Sequence, residues 1–275
     1  MRAPGIVRVL RDVSDFLGSS VSARDGPVAV TPEDYLAASG EVIALAMAMS
    51  WIMAAIWNRD AIRDNPLLDR LGYNNVCVAW DVPPALYPAA FVMQFAIYCG
   101  VRYCVLDYVR GAVTPGLSRR KVRIIKFCNT LYAVSIMAVS LLFVVTPKVS
   151  PSVHTTFFVQ LIICRFVVVA GNFVEVERIP REKWVFLGVY GLVSLLLPAC
   201  LFINFVTYDS KNKKKPTVPM ALGMIFDYSW FACLAVTGRF LPEQTPLQIT
   251  YQLQPGTAGG VAENLKPSER VVPAP

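Results

Sequence analysis

Six apolar runs, at roughly 36–57, 84–109, 124–146, 153–174, 185–208 and 218–240, decide what this chain can fold into. Each is near the ~20 residues that an α-helix needs to cross a bilayer's hydrocarbon core. No water is present there, so a spanning segment must satisfy its own backbone N–H and C=O groups, and a helix does this internally. A β-barrel would show alternating strands of about ten residues instead, and the runs do not alternate. The sequence therefore predicts an all-α integral membrane bundle of six transmembrane helices. Composition agrees: 55% of residues are hydrophobic, only 16% are charged, and the mean hydropathy is +0.49. A soluble domain carries closer to a quarter charged residues, and a disordered chain would be charge-rich and apolar-poor.

The boundaries carry interfacial signals. Trp51 and Trp57 close the first run, Tyr87 opens the second and Trp184 precedes the fifth, as in aromatic belts at the membrane–water interface. Pro147 ends the third run, and Pro180 breaks the loop before the fifth. Pro198, inside the fifth run, predicts either a kink or a proline tolerated by its neighbours. Three regions follow: a cytosolic N-terminal segment at 1–35, the six-span domain at 36–240, and a tail at 241–275. The tail holds Pro242, Pro246, Pro255, Pro267, Pro273 and Pro275 with Gly256, Gly259 and Gly260, a composition that predicts disorder.

Orientation is read from the basic residues. Fifteen Lys and Arg fall in the N-terminal segment, the second and fourth loops and the tail, against eight in the first, third and fifth loops. The positive-inside rule then puts both termini in the cytosol. A cluster at Lys211, Lys213, Lys214 and Lys215 opposes this assignment. The net charge of +7 and pI of about 9.1 read as loops facing anionic headgroups, not as a nucleic-acid surface. In the first 34 residues Ile6, Val9, Leu10, Val13, Phe16 and Leu17 repeat at helical spacing, with Arg8, Arg11 and Asp12 elsewhere on the wheel. Three readings stay open for this segment: a helix lying in the interface, a helix packed on the bundle, or no fixed structure.

The residue inventory excludes much chemistry. One histidine in 275 residues rules out bis-histidine haem ligation and His-rich metal sites within one chain. None of the seven cysteines forms a CxxC pair, six lie inside apolar runs, and only Cys77 is in a polar stretch. That is the distribution of small buried hydrophobes. GxSxG, HExxH, P-loop and GxGxxG motifs are all missing. The expectation is a non-enzyme with no catalytic residues, no cofactor and no metal site. His154, in Val153-His154-Thr155-Thr156, reads as an interfacial histidine bonding a loop carbonyl. Ala46, Ser50 and Ala54, four residues apart, suit close helix packing.

Charges inside the runs stand out: Glu41, Arg102, Arg165 and Asp227. Each costs about 2.5–3.5 kcal/mol on insertion scales, so each needs a partner, water or a snorkelling path. At 1.5 Å per residue, Arg165 and Asp227 lie about 18 and 14 Å from the outer ends of their runs. Glu41 and Arg102 lie about 8 and 10 Å from the inner ends of theirs. Two level-matched pairs are therefore expected, Arg165 with Asp227 and Arg102 with Glu41. They serve either as structural clamps or as a proton or substrate pathway; Arg102 could also hold a lipid phosphate. The second loop carries Arg119, Arg120, Lys121 and Arg123 with no acid nearby. It reads as a solvated, topology-setting face or as a docking surface for anionic lipid or an acidic partner.

Several short motifs resemble those of the six-span family that includes the damage-regulated autophagy modulators (DRAM-like proteins) and the GPI-lipid-remodelling Golgi proteins. They are Tyr87…Gly100-Val101-Arg102-Tyr103 in the second span, Phe127-Cys128-Asn129 opening the third, His154 after a short loop, and Phe226-Asp227-Tyr228-Ser229-Trp230 in the sixth. Thr130-Leu131-Tyr132-Ala133 stands where that family's pattern has an acidic residue in the third span. On architecture alone the chain is also similar to the glideosome-associated multi-membrane-span proteins of the apicomplexan inner membrane complex. Both resemblances imply a non-catalytic membrane protein, in an endomembrane or in the inner membrane complex. The expected function is a membrane organiser or adaptor that presents basic loops and tails to cytosolic protein partners, as a homo- or hetero-oligomer. The alternative is a lipid- or small-solute-handling protein that uses the buried charges.

Overall fold

The computed structural model describes residues 3–21, 28–114, 116–208 and 216–249. It is an all-α bundle with six helices long and apolar enough to cross a membrane. These are α2 (Pro32–Trp57), α5 (Leu86–Val113), α6 (Arg119–Ala138, continued as a 3-10 turn over Val139–Phe143), α7 (Pro151–Glu175), α8 (Arg181–Thr207) and α9 (Met220–Phe240). Local chemistry sets their ends. Pro32 and Pro151 occupy the first helical turn, where the missing N–H costs nothing. The Ser118 and Ser150 hydroxyls accept from the backbone N–H of Lys121 and Val153, satisfying N-terminal donors that the helix leaves open. Pro198 sits inside α8 without ending it.

Each spanning helix packs on the next, and α9 returns to pack on α2. The outer belt is apolar: Phe91 is 81% exposed, Val144 70% and Phe202 69%. A water-soluble protein does not leave so much apolar surface open, whereas a bilayer covers it. Both described chain ends lie at one end of the bundle. There β1 (Val28–Val30) pairs antiparallel with β2 (Leu247–Ile249). The predicted disorder therefore does not hold for the start of the tail. Leu247 pairs with Val30 and is buried, as is Leu241, because burying these side chains and closing the backbone bonds offsets the ordering entropy. Residues 250–275 and the lysine cluster at 211–215 lie outside the described residues.

The N-terminal helix α1 (Gly5–Val21) resolves the three open readings in favour of packing on the bundle. Val9 is fully buried, and Gly5 sits so close to α2 that a Cβ there would lie 2.7 Å from that of Ala37. At the opposite end, residues 58–85 are no plain loop. α3 (Arg59–Arg63), α4 (Pro66–Leu71) and a 3-10 turn at Val78–Asp81 form a folded cap with Leu67, Leu71, Trp80 and Val76 buried. Asn65 caps α4 by accepting from Leu68 N–H, and Gly72 ends it at φ 77°, a left-handed conformation that glycine adopts without a Cβ clash. Trp51 of α2 donates to the Val76 carbonyl at 2.8 Å, tying the cap to the spans.

Candidate functional site

Arg165 is fully buried and lies among four helices. Its Nη1 donates to the Tyr132 hydroxyl of α6 and its Nη2 to the Leu36 carbonyl of α2, both at 2.6 Å. The Tyr132 hydroxyl is also 3.2 Å from Ser39 Oγ. The guanidinium sits over the Tyr132 ring, and the Tyr190 hydroxyl of α8 faces it. Gly40 leaves room for it: a Cβ there would be 2.5 Å from Nη2 and 2.9 Å from the Leu234 carbonyl oxygen of α9. The expected Arg165–Asp227 pair is not formed. Asp227 instead accepts from the Val76 N–H of the cap at 2.9 Å. The cap dips into the bundle at this point and supplies a backbone donor to an acid that residue counting matched only by depth.

The second expected pair also differs. Glu41 accepts from Gly5 N–H at 2.9 Å and from Ile6 N–H at 2.8 Å, so its carboxylate closes the N-terminus of α1. Negative charge is favoured there because open N–H groups and the helix dipole point the same way. Arg102 lies near the Tyr35 side chain of α2 instead. Arg119, Arg120 and Arg123 are exposed and Lys121 half-exposed. All four belong to the opening turns of α6, not to a free loop. Four positive charges oppose the dipole at a helix N-terminus, and their exposure to water relieves that repulsion.

A set of charges at the terminal end was not visible as a site in the sequence. Arg110 of α5 is buried and pairs with Glu33 of α2 and Asp107 of its own helix. Glu175 of α7 lies 3.3 Å away. Asn129 of α6 donates to Asp107 at 2.7 Å. Nearby, Asn172 donates to the Tyr103 hydroxyl at 2.7 Å, and Gln244 of the tail donates to Asn172 Oδ1 at 3.2 Å. Arg8 of α1 pairs with Asp34 at 2.8 Å. These residues sit at the ends of apolar runs, where a charge reads as interfacial. The available signal was the Asp107/Arg110 spacing, which places both on one helix face.

The cap end holds the cluster with the most chemistry. Cys77, Asp81 and His154 are all buried. One sulfur, one carboxylate oxygen and one ring nitrogen lie within 4.8 Å of one another. His154 Nδ1 is 2.9 Å from the Val145 carbonyl, so the histidine does bond a loop carbonyl, although from the interior. A carbonyl only accepts, so Nδ1 carries a proton, and in the neutral ring the Nε2 lone pair turns toward Asp81 Oδ2 at 3.3 Å. Cys77 Sγ donates to Asn75 Oδ1 at 2.7 Å. Burial pushes the Asp81 carboxyl well above the ordinary carboxylate range. The Cys77 thiol is also pushed up, by burial first and then by the negative charges of Asp81 and Asp227. Six of the seven cysteines do behave as buried hydrophobes within the helices, while Cys77 faces polar neighbours.

Six apolar spanning helices and an exposed apolar belt define a multi-pass membrane protein. No protein-family model, no curated protein and no solved structure matches the chain.

Proposed function

We propose that this protein is a non-catalytic membrane organiser. It presents the basic opening turns of α6 and its two terminal segments to cytosolic protein partners and anionic lipid. The observation that carries the reading is the use of the buried charges. Buried Arg165, Asp227 and Arg110 and half-buried Glu41 each hold elements of the bundle together. A pathway would need those groups to line a water-filled space. In this reading both termini are cytosolic, which agrees with the excess of basic residues at the terminal end, and the membrane is an endomembrane or an inner membrane complex. The resemblance to the DRAM-like six-span family points the same way.

One observation favours the lipid-handling alternative. An open apolar cleft of about 610 Å³, lined by Val185, Phe186, Val189 and Phe240 with Arg181 and Glu182 at its edge, runs along α8 and α9. Its walls suit an acyl chain, with Arg181 beside a headgroup.

The test combines proximity labelling from the C-terminus with charge neutralisation of Arg119, Arg120, Lys121 and Arg123 to Gln. The expected result is reduced recovery of cytosolic partners with unchanged topology. Each basic residue near an anionic surface contributes about 1 kcal/mol. Unchanged recovery refutes the docking role. Loss of co-purifying lipid on Val189→Trp, with partner recovery intact, supports the alternative.

A further inference from the structure

The geometry points to a zinc-class metal site formed by Cys77 and Asp81 of the cap and His154 of α7. Three observations converge on it. The donor atoms come from two separate elements and meet within 4.8 Å. Among the described residues, neither Asp81 carboxylate oxygen and not His154 Nε2 makes a hydrogen bond, although all three atoms are buried. Buried polar atoms are seldom left without a partner, and here three of them belong to one cluster. Finally, the His154 tautomer fixed by the Val145 carbonyl leaves a lone pair facing a carboxylate. With Asp81 ionised, two acceptors face each other across 3.3 Å, a conflict that a cation or a proton between them removes.

The donor set selects the metal. Thiolate, imidazole and carboxylate together suit a borderline ion such as Zn²⁺, while Mg²⁺ and Ca²⁺ take all-oxygen shells. Metal–ligand bonds of about 2.0–2.3 Å in a tetrahedron place donors roughly 3.3–3.8 Å apart. The imidazole–carboxylate separation already matches this, and Cys77 Sγ needs only a small side-chain movement. Binding displaces the thiol proton that Asn75 Oδ1 now accepts. Asn75 Oδ1 keeps the Cys77 backbone N–H at 3.0 Å, which fixes the loop as the sulfur turns. The second-shell bond that orients a metal-bound imidazole is already present, from Nδ1 to the Val145 carbonyl. A space of about 10 Å³ borders Asp81, with Asn65, Val78 and Pro147 in its walls, at the lower limit for one water. The ion would fasten the cap to the start of α7.

The competing account is a proton shared between Asp81 and His154, which leaves Cys77 without a role. Full-length protein purified in detergent is equilibrated with zinc, desalted and assayed for metal by mass spectrometry. About one zinc per chain is expected, as a single three-donor site requires. Cys77→Ser, Asp81→Asn and His154→Gln should each lower it several-fold, while Cys233→Ser keeps it. Cobalt-loaded wild-type protein should show a thiolate-to-cobalt charge-transfer band and the intense visible bands of a tetrahedral ion. This readout stands even if a variant fails to fold. Wild-type protein that retains no zinc, zinc that survives all three substitutions, or a cobalt spectrum without the thiolate band would each overturn the assignment.

Discussion

Gly40→Ala is the smallest change that tests the central clamp. The added methyl would stand 2.5 Å from Arg165 Nη2 and 2.9 Å from the Leu234 carbonyl oxygen. Contacts that short force movement. The Leu234 oxygen is backbone within α9 and yields little. The Arg165 head is held on both sides, by Tyr132 and by the Leu36 carbonyl. Displacing it loses a hydrogen bond to a charged group, about 1.5–3 kcal/mol, and overpacking adds about 1–3 kcal/mol. Alanine returns about 1 kcal/mol of helix propensity over glycine. The net loss is about 1.5–5 kcal/mol, on the order of 3–20 °C in melting midpoint for a protein of this size. Thermal unfolding in detergent, followed by tryptophan fluorescence, measures it. In an Arg165→Met background the head that clashes is gone, so the same substitution should cost about 1.5–3 kcal/mol less. Equal costs in both backgrounds, within about 0.5 kcal/mol, would refute the reasoning.

Two further outcomes follow from the charge arrangement. Arg110→Met should destabilise by about 3–5 kcal/mol in the same melting assay, because Glu33, Asp107 and Glu175 are left together without their cation; a loss below about 1 kcal/mol would mean the carboxylates hold one another through protons. Asp227→Asn and Arg165→Gln share no partner, so their effects should add within about 0.5 kcal/mol, and rescue of one by the other would restore the ion pair that sequence depth suggested.

Charge partners were harder to read than charge positions. Glu41, Arg102, Arg165 and Asp227 stand out in sequence because an ionisable residue in an apolar run is costly wherever it points. Depth along the helix is also local, at 1.5 Å per residue. What faces each charge depends on rotation about the helix axis and on which helices are neighbours. Arg165 and Asp227 could thus match in level and never meet. Glu41 found its partner in the N-terminus of α1, a donor set that no list of charged residues contains. Cys77 and Asp81 lie in the polar stretch between the first two apolar runs. His154 lies more than seventy positions away, so only packing of the cap against α7 makes the three a cluster.

The sequence by itself determined the class of fold. Hydropathy over about twenty residues is a local property, and in hydrocarbon the helix that it demands closes its own hydrogen bonds. It also determined that both ends of the six-span domain share one side, since an even number of crossings returns the chain. Only the tertiary structure decided that residues 58–85 fold into a docked cap, that the tail begins as a strand paired with β1, and that Arg110 gathers three carboxylates. Each of these rests on contacts between residues far apart in the chain, where side-chain shape and hydrogen-bond geometry choose among partners that composition leaves equivalent.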